Sequence, residues 1–413
     1  MSLLYSVVFA TRCRSNHHRL AVDALRHLRS PDAAAWRALL LHYHKEYLDG
    51  AKAPDEVFKD FKNHVLHVRD GEWGGAIEAC EEWQRRMVRA LQKRDFAQAA
   101  WSAGVMSHYY VDPIQPFHTH QTEEEGVIHR AVEWSFSKSY STFQKLLETQ
   151  LGGYPDVRVP DGDAWLAQMV RDGARASNPH YETIIEHYDF ETGAKNPPAG
   201  LDQELREIIA RLVGHAAVGL ARILDKTFAE AAVKPPYVGE GLQAFFLALE
   251  APIQGVLKLI DDAQARAEVA AQYAEFQRTG KVRTTLGEDD KVVRALYAAE
   301  VLKTPLSSLD AKWPREIGAK AARTPKPAPK PAPKPKPKAA PKAAAVAPKT
   351  PAAAAAPSPA AAPKAKPAPQ PAASAPAQAS PFTLDGNAPV VEAPSIGPKT
   401  SKRLETIGVR TVA

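Results

Sequence analysis

Hydrophobic residues recur along most of this chain every three to four positions, which is the period of an amphipathic helix. The clearest run places Ile77, Cys80, Trp83, Met87 and Leu91 on one helical face. No convincing run of alternating apolar and polar residues predicts a β-strand. The pattern therefore predicts an all-α fold, a multi-helix bundle.

Start and stop signals divide the pattern into separate helices. Asp95 precedes a helix that Pro113 ends close to Asp112, because proline disfavours helical geometry in the residue before it. Thr122 with Glu125 three residues later forms a capping-box pattern and predicts a long helix running to Gly152. These two helices flank the residues that carry the candidate chemistry.

Two earlier segments also have helical spacing. Ser30 and Pro31 predict the start of one helix, and Gly50 predicts its end as a residue that follows the last turn. Pro54 starts a second apolar series, for which the spacing predicts another helix. Its members lie on one predicted face: Phe58, Phe61, Val65 and Val68.

Composition changes divide the chain into four predicted regions. A helical domain covers residues 1–233 and an additional helical region covers 234–312, separated at Pro235-Pro236. Residues 313–393 are rich in Pro, Ala and Lys, which predicts a disordered linker. Residues 394–413 resemble part of a helix-hairpin-helix module, with a tight Ile-Gly-Pro turn that suits either a nucleic-acid phosphate or a protein partner.

The net charge of +6 conceals an asymmetry between these regions. From Arg323 onward the chain has 14 Lys or Arg and 3 Asp or Glu, whereas the residues before it have 39 and 44. The basic character therefore belongs to the tail, and the folded part is slightly acidic. A basic nucleic-acid groove in the helical domain is not predicted.

Cysteine usage and apolar segments bear on the compartment. Cys13 and Cys80 form neither a disulfide framework nor a CxxC pair. The short apolar stretch of residues 1–10 is followed by its basic residues rather than preceded by them, unlike a secretory signal. Polar residues and Pro252 interrupt the apolar run Leu242–Ile260, which favours a packed or amphipathic helix over a membrane span. The expectation is a cytoplasmic protein without a transmembrane segment.

Histidines concentrate near the amino end, and two His–carboxylate pairs stand out among them. Of the 14 histidines, 11 lie in the first 150 residues. His108 and Asp112 are four residues apart, as are His129 and Glu133, and His118 lies between the pairs. Residues at i and i+4 share a helical face, so each pair can bind one metal ion. The spacing predicts a metal site with nitrogen and oxygen ligands.

This segment resembles the zinc-dependent phospholipase C and P1/S1 nuclease superfamily. The resemblance rests on His108, Asp112, the Gln115-Pro116-Phe117-His118 element, His129 and Glu133. It extends upstream to the segments that contain His18, Asp55 and His64, and covers roughly the first 230 residues.

The resemblance implies a site with two or three zinc ions. One zinc would be bound by Asp55, His64, His108 and Asp112, and a second by His118, His129 and Glu133. Asp112 would bridge the first zinc to a third near His18, and Asp55 would also orient the attacking water as a base. The family's N-terminal Trp has no counterpart here, which leaves the third zinc incomplete or completed by His17 or water.

Other residues stand close to this pattern. Asp60, Glu123 and Glu124 are candidates to accept the second N–H of a ligating histidine, which such histidines normally donate. His17, His67 and His120 are neighbours of predicted ligands that compete with them for a place in the site.

Three functions remain open from the sequence. The first is a phospholipase C-like phosphodiester hydrolase, favoured by Glu133 as the last carboxylate and by the short gap from His118 to His129. The second is a P1/S1-type nuclease acting on single-stranded nucleic acid, which the cationic tail favours. The third is a non-catalytic zinc-binding helical scaffold. The expected partner is a phosphodiester substrate, either phospholipid or nucleic acid, with a nucleic-acid or protein contact through the tail.

Overall fold

The structure is a computed structural model that describes residues 2–239 and 241–312. The predicted linker at 313–393 and the predicted helix-hairpin-helix-like module at 394–413 lie outside these described residues. The described residues are predominantly helical, as the periodicity predicts. Their α-helices are α1 Leu3–Thr11, α2 Asn16–Ala24, α3 Ala33–His42, α4 His44–Ala53, α5 Ala76–Gln92, α6 Phe96–Val111, α7 Glu123–Thr149, α8 Trp165–Ser177, α9 Tyr181–His187, α10 Phe190–Lys195, α11 Gln203–Ala231, α12 Gly241–Leu249, α13 Ala251–Thr279, α14 Glu288–Glu300 and α15 Leu306–Ala311.

The two helices that carry most of the predicted ligands begin where their caps predict. The Asp95 side chain accepts a hydrogen bond from Gln98 N at the start of α6, and Thr122 accepts one from Glu125 N at the start of α7. Each cap satisfies a backbone N–H that the first helical turn leaves unpaired. The ends of α6 and α7, at Val111 and Thr149, lie within three residues of the predicted ends.

The segment after α4 differs from its prediction as a helix. Residues Pro54–Phe58 form one π-helical turn, and Phe61–His64 form a 3₁₀ turn. Then Leu66–His67 (β1) pairs antiparallel with Trp73–Gly74 (β2). Lys59 has a φ of 51°, which reverses the chain direction between the two turns. The irregular backbone places Asp55 and His64 beside the same neighbours, which one continuous helix would not do.

The predicted helix is broken at Tyr43 into α3 and α4. Gly50 lies inside α4, which continues to Ala53, rather than after a helix end. Glycine at this position allows α4 and α6 to approach closely. A Cβ on Gly50 would lie 2.2 Å from Trp101 O, and one on Gly104 would lie 2.1 Å from Tyr47 O. Either contact is far inside van der Waals distance, so the helix spacing depends on both glycines.

Helices α12–α15 pack against the preceding helices. Phe190 of α10 contacts the ring of Tyr273 in α13, with centroids 5.1 Å apart. Trp134 Nε1 of α7 donates to Asp262 Oδ1 at 2.9 Å. The region predicted as an addition therefore shares contacts with the domain before it.

No single helix in the described ranges is long and apolar enough to cross a membrane. The segments Gln243–Leu249 and Ala251–Thr279 reach the required length and hydropathy only when taken together, and a bend of 57° separates them.

Candidate metal centre

Four predicted ligands meet at the end of α6 and form what we call the first cluster, Asp55, His64, His108 and Asp112. Asp112 Oδ2 lies 3.1 Å from both His64 Nδ1 and His108 Nε2. Asp55 Oδ1 lies 3.6 Å from His64 Nδ1 and 3.5 Å from His108 Nε2. Residues 57 positions apart in the chain thus contribute to one group of nitrogen and oxygen atoms.

The orientation of each histidine in the first cluster is set by an acceptor behind it. His108 Nδ1 donates to Ala51 O of α4 at 2.9 Å. His64 Nε2 faces Asp60 Oδ1 at 3.7 Å, and Asp60 in turn accepts a hydrogen bond from the Tyr109 hydroxyl at 2.8 Å. Asp60 therefore lies beside His64, as the sequence predicts for a supporting carboxylate, at a distance longer than a hydrogen bond.

These partners determine where the ring protons are. Because a carbonyl oxygen only accepts, the proton of neutral His108 is on Nδ1 and its Nε2 presents a lone pair. That lone pair faces Asp112 Oδ2 and lies 3.2 Å from His64 Nδ1. Several acceptors therefore converge with at most one proton among them. Acceptor atoms this close repel one another unless a proton or a metal ion lies between them, so the first cluster has the donor atoms to hold a cation.

The electrostatics of the first cluster agree with this conclusion. Burial alone would lower the pKa of His64, but hydrogen bonds to Asp112 and Asp60 outweigh it and raise the pKa to about 10. Burial would raise the pKa of the Asp55 carboxyl, yet His108 and Lys52 hold it well below its usual range. In the metal-free protein a proton on His64 thus supplies the positive charge, and a metal ion has to displace it.

His118, His129 and Glu133 form the second cluster. His118 Nδ1 donates to His64 O at 3.2 Å, which leaves its other ring nitrogen as an acceptor. Glu133 Oε1 lies 3.6 Å from His129 Nε2, which is buried and has no hydrogen-bond partner among the described residues. One ligand atom from each of the three lies within 4.8 Å of the others. The predicted second ligand set is therefore brought together.

A residue that sequence reasoning missed holds His129 from behind. Asp290 of α14 accepts from His129 Nδ1 at 2.8 Å, and Glu125 Oε1 lies 3.0 Å from the same nitrogen. Two carboxylates place the proton on Nδ1 and leave Nε2 for a metal ion, as is usual for ligating histidines. Glu125 lies four residues before His129, so helical spacing alone indicates that the two side chains are neighbours. Asp290 had no sequence signal, since it is 161 residues away.

His17, and not His18, joins the site, which corrects the sequence prediction. His18 Nε2 donates to Leu48 O at 3.0 Å and its Nδ1 accepts from Arg14 N at 3.3 Å, so both ring nitrogens are used structurally. The His17 ring stacks on His108 with centroids 3.8 Å apart, and its Nε2 lies 3.5 Å from Asp112 Oδ1. Adjacent helical residues point about 100° apart, so only one of the two histidines can face α6.

The other candidate supports and ligands have different contacts. Glu123 is paired with Arg283 and Arg294, away from His129. His67 and His120 gather around Asp70, whose Oδ2 lies 3.5 Å and 3.1 Å from their Nδ1 atoms. Neither of these histidines belongs to the first or second cluster.

A cleft of about 680 Å³, measured to its open mouth, leads to both clusters. His17, Asp112, His118 and Glu133 lie along its polar side. The remaining wall is mostly apolar and includes Leu20, Val111, Ile114, Phe136, Leu212 and Val213. A substrate that reaches the clusters therefore places part of itself against hydrocarbon.

No protein-family model matches this chain, and no curated protein matches it.

Proposed function

We propose that this chain is a zinc-dependent phosphodiester hydrolase of phospholipase C type. The observation that carries the proposal is the convergence of His ring nitrogens and carboxylates in two clusters along one cleft. A helical scaffold without catalysis has no need for ligands that open onto a cleft large enough for a substrate.

The donor atoms favour zinc, which binds imidazole nitrogen and carboxylate oxygen, often with three protein ligands and one open position. Zinc held by such a set supplies Lewis acidity and makes hydroxide accessible near neutral pH. The protein's part is to hold the ligands in place. Ala51 O and Asp290 do so by accepting a hydrogen bond from Nδ1 of His108 and of His129, which leaves Nε2 of each ring towards its cluster.

Asp55 is the residue we assign to orient the attacking water. One oxygen, Oδ1, faces the first cluster, while Oδ2 accepts from Lys52 Nζ at 2.7 Å. The lysine keeps the carboxylate ionised and prevents it from rotating. Because Oδ1 of this ionised carboxylate lies at the first cluster, it can accept a hydrogen bond from a water bound there and hold the water's lone pair towards phosphorus.

The lining of the cleft favours a lipid over a nucleic acid. Apolar side chains complement acyl chains, whereas nucleic-acid channels combine basic residues with aromatic platforms. Buried polar atoms without a partner among the described residues, Asn16 Oδ1 and Gln115 Nε2, also line the cleft. They offer one acceptor and one donor to the polar part of a phospholipid.

A nuclease of P1/S1 type is the second candidate, and one observation favours it. The chain from Arg323 onward has 14 basic and 3 acidic residues, a charge balance that attracts nucleic acid. This attraction does not depend on sequence and does not require cleavage.

Metal analysis and paired activity assays test the proposal. We expect the purified full chain to contain zinc and to cleave phosphatidylcholine in mixed micelles faster than single-stranded DNA, with a chelator abolishing activity. Asp55→Asn should lose activity, while Asp49→Asn, an exposed α4 carboxylate paired with Lys45, should not. Faster cleavage of DNA would favour the nuclease, and zinc without cleavage of either substrate would favour a scaffold.

A further inference from the structure

The outer face of the bent helix pair α12–α13 is unusually apolar for a surface. Its large hydrophobic side chains are 42–70 % exposed and belong to Phe245, Phe246, Leu249, Ile253, Val256 and Leu259. We call these six residues the apolar face. Large contiguous apolar surfaces are uncommon on soluble proteins and mark binding sites for partners or membranes.

The inner side of α12 is already packed, so the exposed residues of this helix are not a core surface left open by chance. Ala244 and Leu247 are buried, and α12 packs on α1. The polar residue Gln243 turns inward and donates to His42 O at 2.8 Å. The apolar face therefore lies on the outer side, opposite the packed side of α12.

Charges next to the apolar face are neutralised or turned aside. Glu250, at the bend, forms an ion pair with Arg12, the residue that follows α1. The ammonium group of Lys258 donates a hydrogen bond to Ala10 O. From Gln243 to Leu257, Glu250 is the only charged residue in the sequence. A protein partner would need polar groups at the rim for its own hydrogen bonds, and this stretch offers few.

Hydropathy and geometry together favour a lipid surface as the occupant. Only an 18-residue window across the pair Gln243–Leu249 and Ala251–Thr279 reaches the hydropathy of a membrane span, and the 57° bend is unsuited to a straight crossing. A bent, apolar, aromatic-bearing helix pair suits the boundary between headgroups and acyl chains. Between Thr324 and Pro381 the same chain carries lysine as its only charged residue type, which adds attraction to anionic headgroups.

We infer that the apolar face of α12–α13 docks the protein on the surface of an anionic lipid bilayer. Two weak signals, shallow apolar insertion and a polybasic segment, together give stable membrane association where either alone is marginal. The inference does not depend on the proposed hydrolase activity, since binding to a bilayer requires no turnover.

Vesicle sedimentation with the full chain tests the inference in the presence of a chelator, so that no lipid is cleaved. We expect binding to vesicles of phosphatidylcholine with phosphatidylserine, and weaker binding to phosphatidylcholine alone. The double variant Phe245→Ser/Phe246→Ser should reduce the partition coefficient at high salt by about tenfold or more, because salt screens the tail and leaves the apolar term.

Matched controls separate docking from general loss of hydrophobicity. Leu306→Ser and Val292→Ser change side chains that are also exposed, on α15 and α14, and should leave binding unchanged. In a second readout, tryptophan at position 246 (Phe246→Trp) should shift its emission to shorter wavelength when vesicles are added. Circular dichroism checks that each variant is folded.

Three results would overturn the inference. They are absence of vesicle binding by the unmodified chain, equal loss with the control variants, and a dimer in sedimentation equilibrium that the double variant converts to monomer without any vesicle binding by the parent. The last would identify a second copy of this chain as the occupant of the apolar face.

Discussion

The two clusters use similar ligands but are held in place by different parts of the chain. The first cluster is bordered by Ala51 O, 57 residues before His108, and by Asp60, four residues before His64. The second depends on Asp290, which is 161 residues from His129. The first cluster thus has its ligands and neighbouring acceptors within α4, α6 and the segment after α4, whereas the second needs a carboxylate from the distant helix α14.

The largest effect is expected from removing Asp112, the carboxylate that contacts several histidines at the first cluster. Asp112 lies within 3.5 Å of three histidines, so Asp112→Ala should release metal from the first cluster and lower kcat/KM by about 10³-fold or more. Metal analysis by mass spectrometry should still find metal in the second cluster. Complete loss of metal would show that the two clusters form one cooperative site.

A paired substitution separates the two supports. Asp60→Asn and Asp290→Asn keep an acceptor oxygen but remove its charge, and each should weaken metal binding about 10- to 100-fold. Competition with a chromophoric chelator measures the affinity of each cluster. Asp60→Asn should affect the first cluster and Asp290→Asn the second.

Equal weakening of both clusters by Asp290→Asn would contradict the division. A thermal melt of each variant distinguishes that result from partial unfolding of α14, which would also lower the melting temperature.

The loop that leads into α14, and so positions Asp290, is held by a carboxylate whose protonation in acid should loosen it. Burial would raise the pKa of Glu275 in α13, but hydrogen bonds from Thr284 and Thr285 lower it from 4.5 to about 2. These bonds shape the loop that leads into α14. A carboxylate with a lowered folded-state pKa stabilises the fold above pH 4.5, and this contribution disappears as the pH falls towards 2.

The loss amounts to at most about 3 kcal/mol in the free energy of unfolding. Urea denaturation across this pH range should show it, and Glu275→Gln should be less stable at neutral pH with a flatter acid limb. Glu78→Gln, an exposed α5 carboxylate, serves as the control. A Glu275→Gln variant with the parent's pH profile would refute the assignment.

The smallest expected effect concerns the helix that carries the first cluster. Asp95→Ala removes the N-cap of α6, which should cost about 1 kcal/mol of stability. The cap lies 13 residues before His108, so metal affinity should be unchanged in both clusters. Chemical denaturation and chelator competition on the same variant check the two halves of this expectation. A selective loss of first-cluster affinity would mean that α6 frays as far as its ligands.

Local signals account for what could be predicted from the sequence. The caps Asp95 and Thr122 and the apolar periodicity of α5 depend on neighbouring residues, and the structure agrees with them. Local spacing selected five ligands, His108, Asp112, His118, His129 and Glu133, and the family resemblance added Asp55 and His64; the structure brings all seven together in two clusters. The function remains a proposal, because a pocket's substrate is not encoded by ligand spacing.

The misses arise from contacts between distant elements. Gly50 resembles a helix-ending residue locally, but its role is set by Trp101 across a helix crossing. The choice between His17 and His18 depends on which face of α2 meets α6. The two histidines are adjacent in sequence, and local sequence does not show which of them faces α6. Asp290 is one acidic residue among several at the start of α14, where carboxylates are common for helix-dipole reasons alone.

The glycine crossing of α4 and α6 has a consequence for how related chains can be recognised. Gly104 lies one helical turn before His108, so a glycine at that spacing lets α4 bring the Ala51 carbonyl to the histidine ring. Distant relatives that diverge elsewhere would have to retain small residues at both crossing positions to keep the imidazole oriented. A pattern of Gly, His and Asp at successive four-residue intervals, with a glycine in a helix further upstream, is therefore a search criterion for this site that does not require overall sequence similarity.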